Sequence, residues 1–176
     1  MTIRLALGSD AAAIAGIYQP YVETTAITFE EVAPDAAEMA RRIATSRIHP
    51  WLVIEDSGAI VGYASTSPLR ARAAYRWSVE TGIYLTDAAK GRGLGRALLA
   101  AHLDLLTRQG FVTAMAGIAL PNEASIKAHE KAGFILSGIE RGVGFKLGQW
   151  VDVGRWQKDL APRVAEPAEL KPFAEV

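Results

Sequence analysis

The turn Lys90-Gly91-Arg92-Gly93-Leu94-Gly95-Arg96 has the composition of a phosphate-binding loop. It lies between a β-like run, Ser78 to Leu85, and a helix predicted over Arg96 to Gln109. A glycine turn that opens a helix presents unpaired backbone N–H groups and the positive end of the helix dipole to solvent. The turn therefore predicts a phosphate or pyrophosphate site. The alternative is an ordinary glycine-rich connection between a strand and a helix.

A carboxylate, Glu80, lies in the middle of the otherwise apolar run from Ser78 to Leu85. A buried carboxylate is costly unless it is paired or functional, and one that is poised near neutral pH can remove the proton from an ammonium group. A solvent-exposed strand face, or a salt bridge with Arg72 or Arg76, would explain Glu80 equally well. A second group that could move protons is His129, one helical turn beyond Ser125, although a lone helical histidine is usually structural.

Composition excludes several classes of protein and site. The chain has 176 residues, of which 50% are hydrophobic and 22% are charged, as expected for one soluble globular domain. Its formal net charge is zero, which argues against nucleic acid or an anionic membrane as partner, although a local basic patch at Lys90, Arg92 and Arg96 remains open. The absence of cysteine excludes disulfides, thiolate metal sites and cysteine nucleophiles. No apolar run is long enough to span a membrane, and the N-terminus is typical of an edge strand, so we expect a cytoplasmic protein.

The elements that must position these residues alternate between strands and helices. The N-terminal half predicts a strand over Ile3–Leu7, a helix after Asp10, a loop over Thr24–Glu31, a helix from Asp35 to about Thr45, and strands over Trp51–Glu55 and Ala59–Ser65 that turn at Asp56-Ser57-Gly58. The C-terminal half predicts the strand Ser78–Leu85, the helix ending at Gly110, a strand over Val112–Ile118, a helix from Asn122 to Gly133, and an antiparallel pair, Ile139–Phe145 with Trp150–Trp156, that turns at Lys146-Leu147-Gly148. This order predicts a single-domain α/β (α+β) fold over residues 1–160 and a poorly ordered tail over 161–176.

Two common nucleotide sites do not fit the glycine turn. A Walker A loop requires Gly-Lys-Ser/Thr after its spacer, which this turn lacks. A Rossmann fingerprint requires a third glycine, and that position holds Arg96 or Leu98, depending on where the count starts. An acyl-CoA pyrophosphate on the helix N-terminus is the remaining nucleotide interpretation.

Two motifs in order make the chain similar to a known family. Lys90-x-x-Gly93-x-Gly95 resembles the Gln/Arg-x-x-Gly-x-Gly/Ala pyrophosphate loop of the GNAT superfamily of N-acetyltransferases, with Lys at its first position. Asn122-x-x-Ser125-x-x-x-His129-x-Lys131-x-Gly133-Phe134 resembles a second GNAT element, in which Ala is common at the position of Ser125 and Tyr at that of His129. The segments Tyr75 to Glu80 and Asp152-Val153-Gly154-x-Trp156 look like the phosphinothricin N-acetyltransferase branch, and this resemblance runs from about Ile3 to about Leu160.

The resemblance implies the fold, the co-substrate and the residues that hold it. The implied fold is a mixed, mostly antiparallel sheet with helices on both faces and a splayed central strand pair. The implied co-substrate is acetyl-CoA, with no metal. The resemblance assigns the general base to Glu80, an auxiliary acid or base to His129, and an oxyanion-binding N–H to the backbone near Leu85. The implied cofactor-binding residues are Ile83, Tyr84, Leu85, Lys90, Gly91, Arg92, Gly93, Leu94, Gly95, Arg96, Asn122 and Ser125.

The implied acceptor is the α-amino group of a small amino-acid analogue, namely phosphinothricin, methionine sulfoximine or methionine sulfone, whose acetylation detoxifies it. Such a molecule would carry an anionic head and a carboxylate, which require arginine and hydroxyl donors. The candidate substrate-binding residues are Thr28, Phe29, Arg72, Ala73, Ala74, Tyr75 and Glu80. Members of this branch are usually homodimers, so a homodimer is expected. The alternatives are acetylation of another amine (an amino acid, a polyamine or a protein N-terminus) and a non-catalytic CoA-binding module.

Overall fold

The computed structural model describes residues 1–45 and 47–176, which form one mixed sheet with helices on both faces. The helices are α1 (Ala11–Thr24), α2 (Ala36–Ala44), α3 (Leu94–Gln109) and α4 (Glu123–Lys131). The strands are β1 (Thr2–Leu5), β2 (Leu52–Asp56), β3 (Ala59–Pro68), β4 (Ser78–Leu85), β5 (Thr113–Ala119), β6 (Ile135–Lys146) and β7 (Gln149–Asp159). Among the described helices, none has the length and apolar composition that crossing a membrane requires.

The sheet has the strand order β1-β2-β3-β4-β5-β7-β6, and every pair is antiparallel except β4 with β5. The parallel pairing of β4 and β5 covers only Ser78–Glu80 opposite Thr113–Met115. Both strands continue past this point, β4 to Leu85 and β5 to Ala119, so they separate after Glu80. The predicted mostly antiparallel sheet with a splayed central pair is confirmed, and β1 is an edge strand as expected.

Local sequence signals account for the element ends. At the β2–β3 turn Ser57 and Gly58 have φ of 51° and 80°, and at the β6–β7 turn Leu147 and Gly148 have φ of 51° and 77°. Two consecutive left-handed residues match the twist of the flanking strands, which makes both connections tight hairpins. The side chain of Asp35 caps α2 by accepting a hydrogen bond from Glu38 N at 2.8 Å.

Three predicted boundaries shift for identifiable reasons. Helix α3 begins at Leu94, two residues before the predicted start, because Gly93 already accepts the first helical hydrogen bond, from Ala97 N at 3.1 Å. Strand β6 begins at Ile135 because two register irregularities, after Leu136 and after Glu140, let its pairing with β7 continue. Strand β1 ends at Leu5 because Leu7 N donates to the Asp10 carboxylate at 2.8 Å, which turns the chain into α1.

The core has two layers that cover different parts of the sheet. On one face α3 packs against β2–β5 through clusters that include Leu98, Leu99, Val79 and Ala116. On the other face α1 and α2 pack against β2 and β3, around Tyr63. Glu80 alternates with Val79 along β4, so its side chain is on the face opposite α3. That face is not covered by α1 and α2 beyond β4, which leaves room there for a site.

The segment 161–176 runs along the C-terminal end of α3. Lys171 N donates to the Gln109 carbonyl and the Gln109 side-chain amide donates to the Lys171 carbonyl, both at 2.9 Å. The Trp77 indole donates to the Ala168 carbonyl at 2.8 Å. The predicted boundary between a domain over residues 1–160 and a tail over 161–176 stays a prediction.

Candidate active site

A cleft opens where β4 and β5 separate. A cavity of about 250 Å³ lies in it, closed by α3 on one side and by α4 on the other. Seven of the residues predicted to bind the cofactor or to catalyse line this cavity, namely Ile83, Leu85, Lys90, Gly95, Asn122, Ser125 and His129. A narrower cavity between the two strands includes Tyr84, Asn122, Ser125 and His129. The structure therefore brings the two sequence motifs together at one cleft.

The glycine turn forms the mouth of this cleft. Gly91 and Gly93 have φ of +73° and +81°, a left-handed conformation that favours glycine, and a Cβ atom at either position would meet nothing within 4 Å. Gly93 is the N-cap of α3, so the backbone N–H groups of Leu94, Gly95 and Arg96 have no acceptor within the helix. An open left-handed turn in front of free helix N–H groups is a geometry that suits a phosphate group.

The cations of the turn are partly neutralised by neighbouring carboxylates. Lys90 Nζ lies 2.6 Å from Asp87 Oδ1 and 4.8 Å from the centre of the Tyr21 ring. Burial opposes the charge of Lys90, but its hydrogen bonds to Asp87 and Tyr21 outweigh that effect and raise its pKa. Arg92 Nη2 lies 2.6 Å from Asp56 Oδ2. A pyrophosphate group would have to compete with Asp87 and Asp56 for these two side chains.

Glu80 lies just where the pairing of β4 and β5 ends, and it is bound to an arginine. Its Oε1 accepts a hydrogen bond from Arg155 Nη1 at 2.8 Å, and the two side chains are 32% and 26% exposed. Arg155 also reaches Glu140, whose Oε2 is 3.1 Å from Nε and 3.0 Å from Nη2. Burial disfavours the charge of Arg155, but the hydrogen bond to Glu140 and the charge of Glu80 more than compensate and raise its pKa.

Glu80 does form a salt bridge, but its partner is Arg155 and not Arg72 or Arg76, the two arginines considered as alternatives. Arg76 precedes β4 and turns away from it, with its guanidinium 3.8 Å from the centre of the Trp77 ring and 3.3 Å from Glu169. Arg155 reaches Glu80 instead because β7 pairs with the far side of β5, where Gly117 is opposite Arg155. A Cβ atom on Gly117 would lie 2.7 Å from Arg155 Nη1 and 2.8 Å from Glu80 Oε1. The ion pair therefore crosses β5 over a glycine.

The predicted substrate-binding residues divide between two cavities. Phe29 and Glu80 line one of about 190 Å³, which we call the acceptor cavity and which is completed by Ile27, Gly117, Ala119, Val153 and Arg155. Arg72, Ala73 and Tyr75 line a different cavity of about 370 Å³, together with Arg70, Arg76 and part of the segment 161–176. Ala74 lies in the same short turn, Ala73–Tyr75.

Thr28, which precedes Phe29, uses its polar groups within the protein. Its hydroxyl lies 2.5 Å from the Tyr18 hydroxyl, and its carbonyl accepts a hydrogen bond from Lys146 Nζ at 2.8 Å. These contacts tie the loop after α1 to α1 itself and to β6. They hold the loop that carries Phe29 in place at the acceptor cavity.

His129 is held in one tautomer by its helix. Its side chain is buried, and Nδ1 lies 2.8 Å from the Ser125 carbonyl oxygen, so Nδ1 carries the proton. Burial lowers the pKa of His129, although the hydrogen bond to Ser125 opposes this shift, so the ring is neutral at neutral pH. Nε2 is then a proton acceptor, and it is buried without a hydrogen-bond partner among the described residues. His129 lines both cavities of the cleft.

The sequence interpretation missed Arg155, Glu140 and Gly117. The available signal was an arginine between Gly154 and Trp156 in the last strand, opposite in sign to the carboxylate within β4. Within residues 1–45 and 47–176 no group of three or more His, Asp or Glu side chains could hold a metal ion.

Comparison with known proteins relates this site to one enzyme family. Residues 3–154 match the acetyltransferase (GNAT) domain family. The chain is 35% identical to a phosphinothricin N-acetyltransferase of Streptomyces viridochromogenes over 99% of this chain and 95% of that protein. It is also 35% identical to an L-methionine sulfoximine/L-methionine sulfone acetyltransferase of Salmonella typhimurium, over 96% of this chain and 99% of that protein. The crystal structure of a phosphinothricin acetyltransferase from Sinorhizobium meliloti in complex with acetyl-CoA superimposes with a TM-score of 0.91 at 38% identity, covering 98% of this chain and 96% of that one.

Proposed function

Because this chain belongs to the GNAT family of acetyltransferases, we propose that it transfers an acetyl group from acetyl-CoA to the α-amino group of a small amino-acid analogue. The observation that carries the proposal is the position of Glu80, a half-buried carboxylate at the point where the cofactor cleft meets the acceptor cavity. Relatives that act on phosphinothricin, methionine sulfoximine and methionine sulfone support the class of acceptor. All three compounds are α-amino acids.

The residues of the cleft suit acetyl-CoA, which supplies the thioester when it is bound. The N–H groups of residues 94–96, with the open turn at Gly91 and Gly93, would hold the pyrophosphate. The divergence of β4 from β5 leaves the backbone near Ile83 and Leu85 without a partner strand on that side, and the Leu85 carbonyl accepts a hydrogen bond from the Tyr21 hydroxyl at 2.6 Å instead. The remaining backbone groups there would bind the amides of the pantetheine arm. Asn122 would contact the same arm besides capping α4, where it accepts a hydrogen bond from Ser125 N at 3.2 Å.

Glu80 and His129 would share the movement of protons. An α-ammonium has to lose a proton before its nitrogen can attack, and Glu80 is the carboxylate of the acceptor cavity that can take it. His129 is neutral, with Nε2 free to accept, so it would take the second proton, which the nitrogen releases after it attacks the thioester, and would return this proton to the leaving CoA thiolate as the carbon–sulfur bond breaks. A backbone N–H near Leu85 would stabilise the oxyanion.

The acceptor cavity favours a small molecule over the alternatives. A volume of about 190 Å³ suits an amino acid, and Phe29 limits its length. A long polyamine would need an acidic channel, whereas the charges of Glu80 and Arg155 balance in this cavity and the loop before β4 is rich in arginine. We retain Arg72 and Tyr75 as candidates for the distal polar group of the acceptor.

We also propose that two copies of the chain associate through β6, the last strand of the sheet. Exposed apolar side chains along it and at the start of β7 include Ile135, Val143, Phe145 and Trp150, the last being 70% exposed. Exposed apolar side chains on an edge strand and its neighbour are often covered by a partner. Use of acetyl-CoA, a cytoplasmic metabolite, supports a cytoplasmic location.

Release of CoA thiol tests the function directly. The purified protein is incubated with acetyl-CoA and, separately, with phosphinothricin, methionine sulfoximine, methionine sulfone, ordinary amino acids and spermidine. We expect amine-dependent release with one or more of the three analogues and none with spermidine. Tight binding of acetyl-CoA without thiol release for any of these amines would instead support a non-catalytic CoA-binding module.

A further inference from the structure

The acceptor cavity contains a pair of opposite charges that are in contact. Among the described residues, the charged side chains that line the acceptor cavity are those of Glu80 and Arg155. Their contacting atoms, Oε1 and Nη1, are 2.8 Å apart. The remaining wall is apolar or has no side chain, as at Ile27, Phe29 and Val153. Any charged group of an acceptor that enters this cavity therefore has to be matched by Glu80 or Arg155.

Both side chains have hydrogen-bonding capacity left for a ligand. A guanidinium carries five N–H bonds, and the contacts to Glu80 and Glu140 engage one on each nitrogen of Arg155. Among the described residues, one N–H on Nη1 and one on Nη2 have no acceptor, so both can bind a ligand. Glu80 accepts from Arg155 through Oε1, which leaves Oε2 for a donor.

Arg155 is also prepared in position before any ligand binds. Glu140 holds Nε and Nη2, and the absence of a side chain at Gly117 lets the guanidinium lie across β5. An arginine that is fixed in this way loses little conformational freedom when it binds a carboxylate.

We infer that Arg155 selects α-amino acids by binding the α-carboxylate of the acceptor, while Glu80 binds the α-amino group of the same molecule. This inference rests on the proposed function. The two charged groups of an α-amino acid are attached to one carbon, so a receptor for both requires adjacent charges of opposite sign, as in the Glu80–Arg155 pair. The arginines of the loop before β4 line a separate cavity, so Arg155 is the cation that meets the amino-acid part of the acceptor.

The test compares methionine sulfone with 3-(methylsulfonyl)propan-1-amine, which is the same molecule without its carboxylate. The ratio of the two kcat/KM values is measured for the wild type and for Arg155→Gln. The different basicity of the two amines affects both enzymes equally and cancels between the two ratios. We expect Arg155→Gln to lower the preference for the amino acid about 10-fold to 100-fold, the range for a hydrogen-bonded charge pair. The change should come mainly from a higher KM for methionine sulfone.

Three further variants keep the result interpretable. Arg155→Lys retains the charge without the fork and should lose part of the preference. Gly117→Ala keeps Arg155 but places a methyl group between Arg155 and Glu80. This variant should lower the preference for the amino acid, as Arg155→Gln does. Arg141→Gln, which removes a 75% exposed arginine paired with Asp152, is the matched control and should leave the ratio unchanged.

Two results would overturn the inference. An unchanged ratio with kcat/KM lowered equally for both amines in Arg155→Gln would show that Arg155 only positions Glu80. An unchanged ratio with both kcat/KM values retained, in Arg155→Gln or, if that variant does not fold, in Arg155→Lys, would show that the carboxylate binds elsewhere. Failure of the proposed function would give a third, distinguishable result. The wild type would then acetylate neither methionine sulfone nor 3-(methylsulfonyl)propan-1-amine, nor the other α-amino acid analogues.

Discussion

The buried His102 predicts a specific dependence of stability on pH. His102 lies in α3 with no solvent exposure, and its Nε2 is 2.5 Å from the Thr66 hydroxyl of β3. Burial lowers its pKa from 6.5 to about 4. The folded protein therefore keeps the ring neutral, while the unfolded chain binds a proton below pH 6.5. Stability should fall as the pH falls from 6.5 towards 4, where the unfolded state binds more protons than the folded state.

The size of the effect follows from the shift. At 1.36 kcal/mol per unit, the full shift corresponds to about 3.4 kcal/mol, of which about 2.5 kcal/mol should be expressed between pH 7.5 and pH 4.5. The perturbation is His102→Gln, which keeps a hydrogen-bonding group for Thr66 but does not titrate. Urea denaturation at several pH values gives the free energy of unfolding of both proteins. Since the other titrating groups are common to both, the difference between the two free energies isolates His102.

We expect the wild type to be the more stable protein at pH 7.5 and its advantage to shrink by about 2.5 kcal/mol at pH 4.5. A difference that stays constant across this range would refute a neutral, buried His102. His49→Gln serves as the matched control. His49 is only partly buried, and burial lowers its pKa. The difference in free energy of unfolding between the wild type and His49→Gln should therefore change less between pH 7.5 and pH 4.5 than the difference between the wild type and His102→Gln.

Three other predictions concern the site and the assembly. Glu80→Gln should lower kcat at neutral pH by about 10²-fold to 10⁴-fold, the usual contribution of a general base, in a CoA-thiol release assay; full retention of kcat would remove Glu80 from that role. Gly93→Val should raise the KM for acetyl-CoA, because a β-branched residue disfavours φ of +81° and would distort the turn. An unchanged KM would mean that the pyrophosphate does not bind there. Trp150→Glu should convert a dimer to a monomer in sedimentation velocity, whereas a wild type that already sediments as a monomer would contradict the proposed interface.

Features encoded within a few residues were predictable from the sequence. The helix starts at Asp35 and Asn122 and the two hairpin turns each depend on residue types at fixed short spacing. The structure has all four where expected, with Asp35 and Asn122 as the helix caps. The cofactor cleft was predictable for a related reason. Its two motifs are short and each lies at the start of a helix, so their approach in space follows once the order of strands is known.

The chemistry around Glu80 was only partly predictable, because it depends on strand order and register. Glu80 and Arg155 are 75 residues apart and meet across a third strand, at the one position where that strand has a glycine. A shift of one residue in the pairing of β5 with β7 would point Arg155 to the other face. Arg72 and Tyr75 are close to Glu80 in sequence, yet they line a different cavity because the chain turns sharply before β4.

The splay between β4 and β5 has a consequence for how such a protein can change over evolutionary time. Its exposed backbone N–H and carbonyl groups are present whatever the side chains are, proline excepted, so the cleft can keep its acetyl donor while the sequence around it drifts. The acceptor cavity is instead lined by side chains, among them Phe29, Glu80 and Arg155. Under the proposed function, the main chain of the cleft would bind the acetyl donor and individual side chains would bind the acceptor, so single substitutions at the acceptor cavity should change the acceptor while binding of acetyl-CoA is retained.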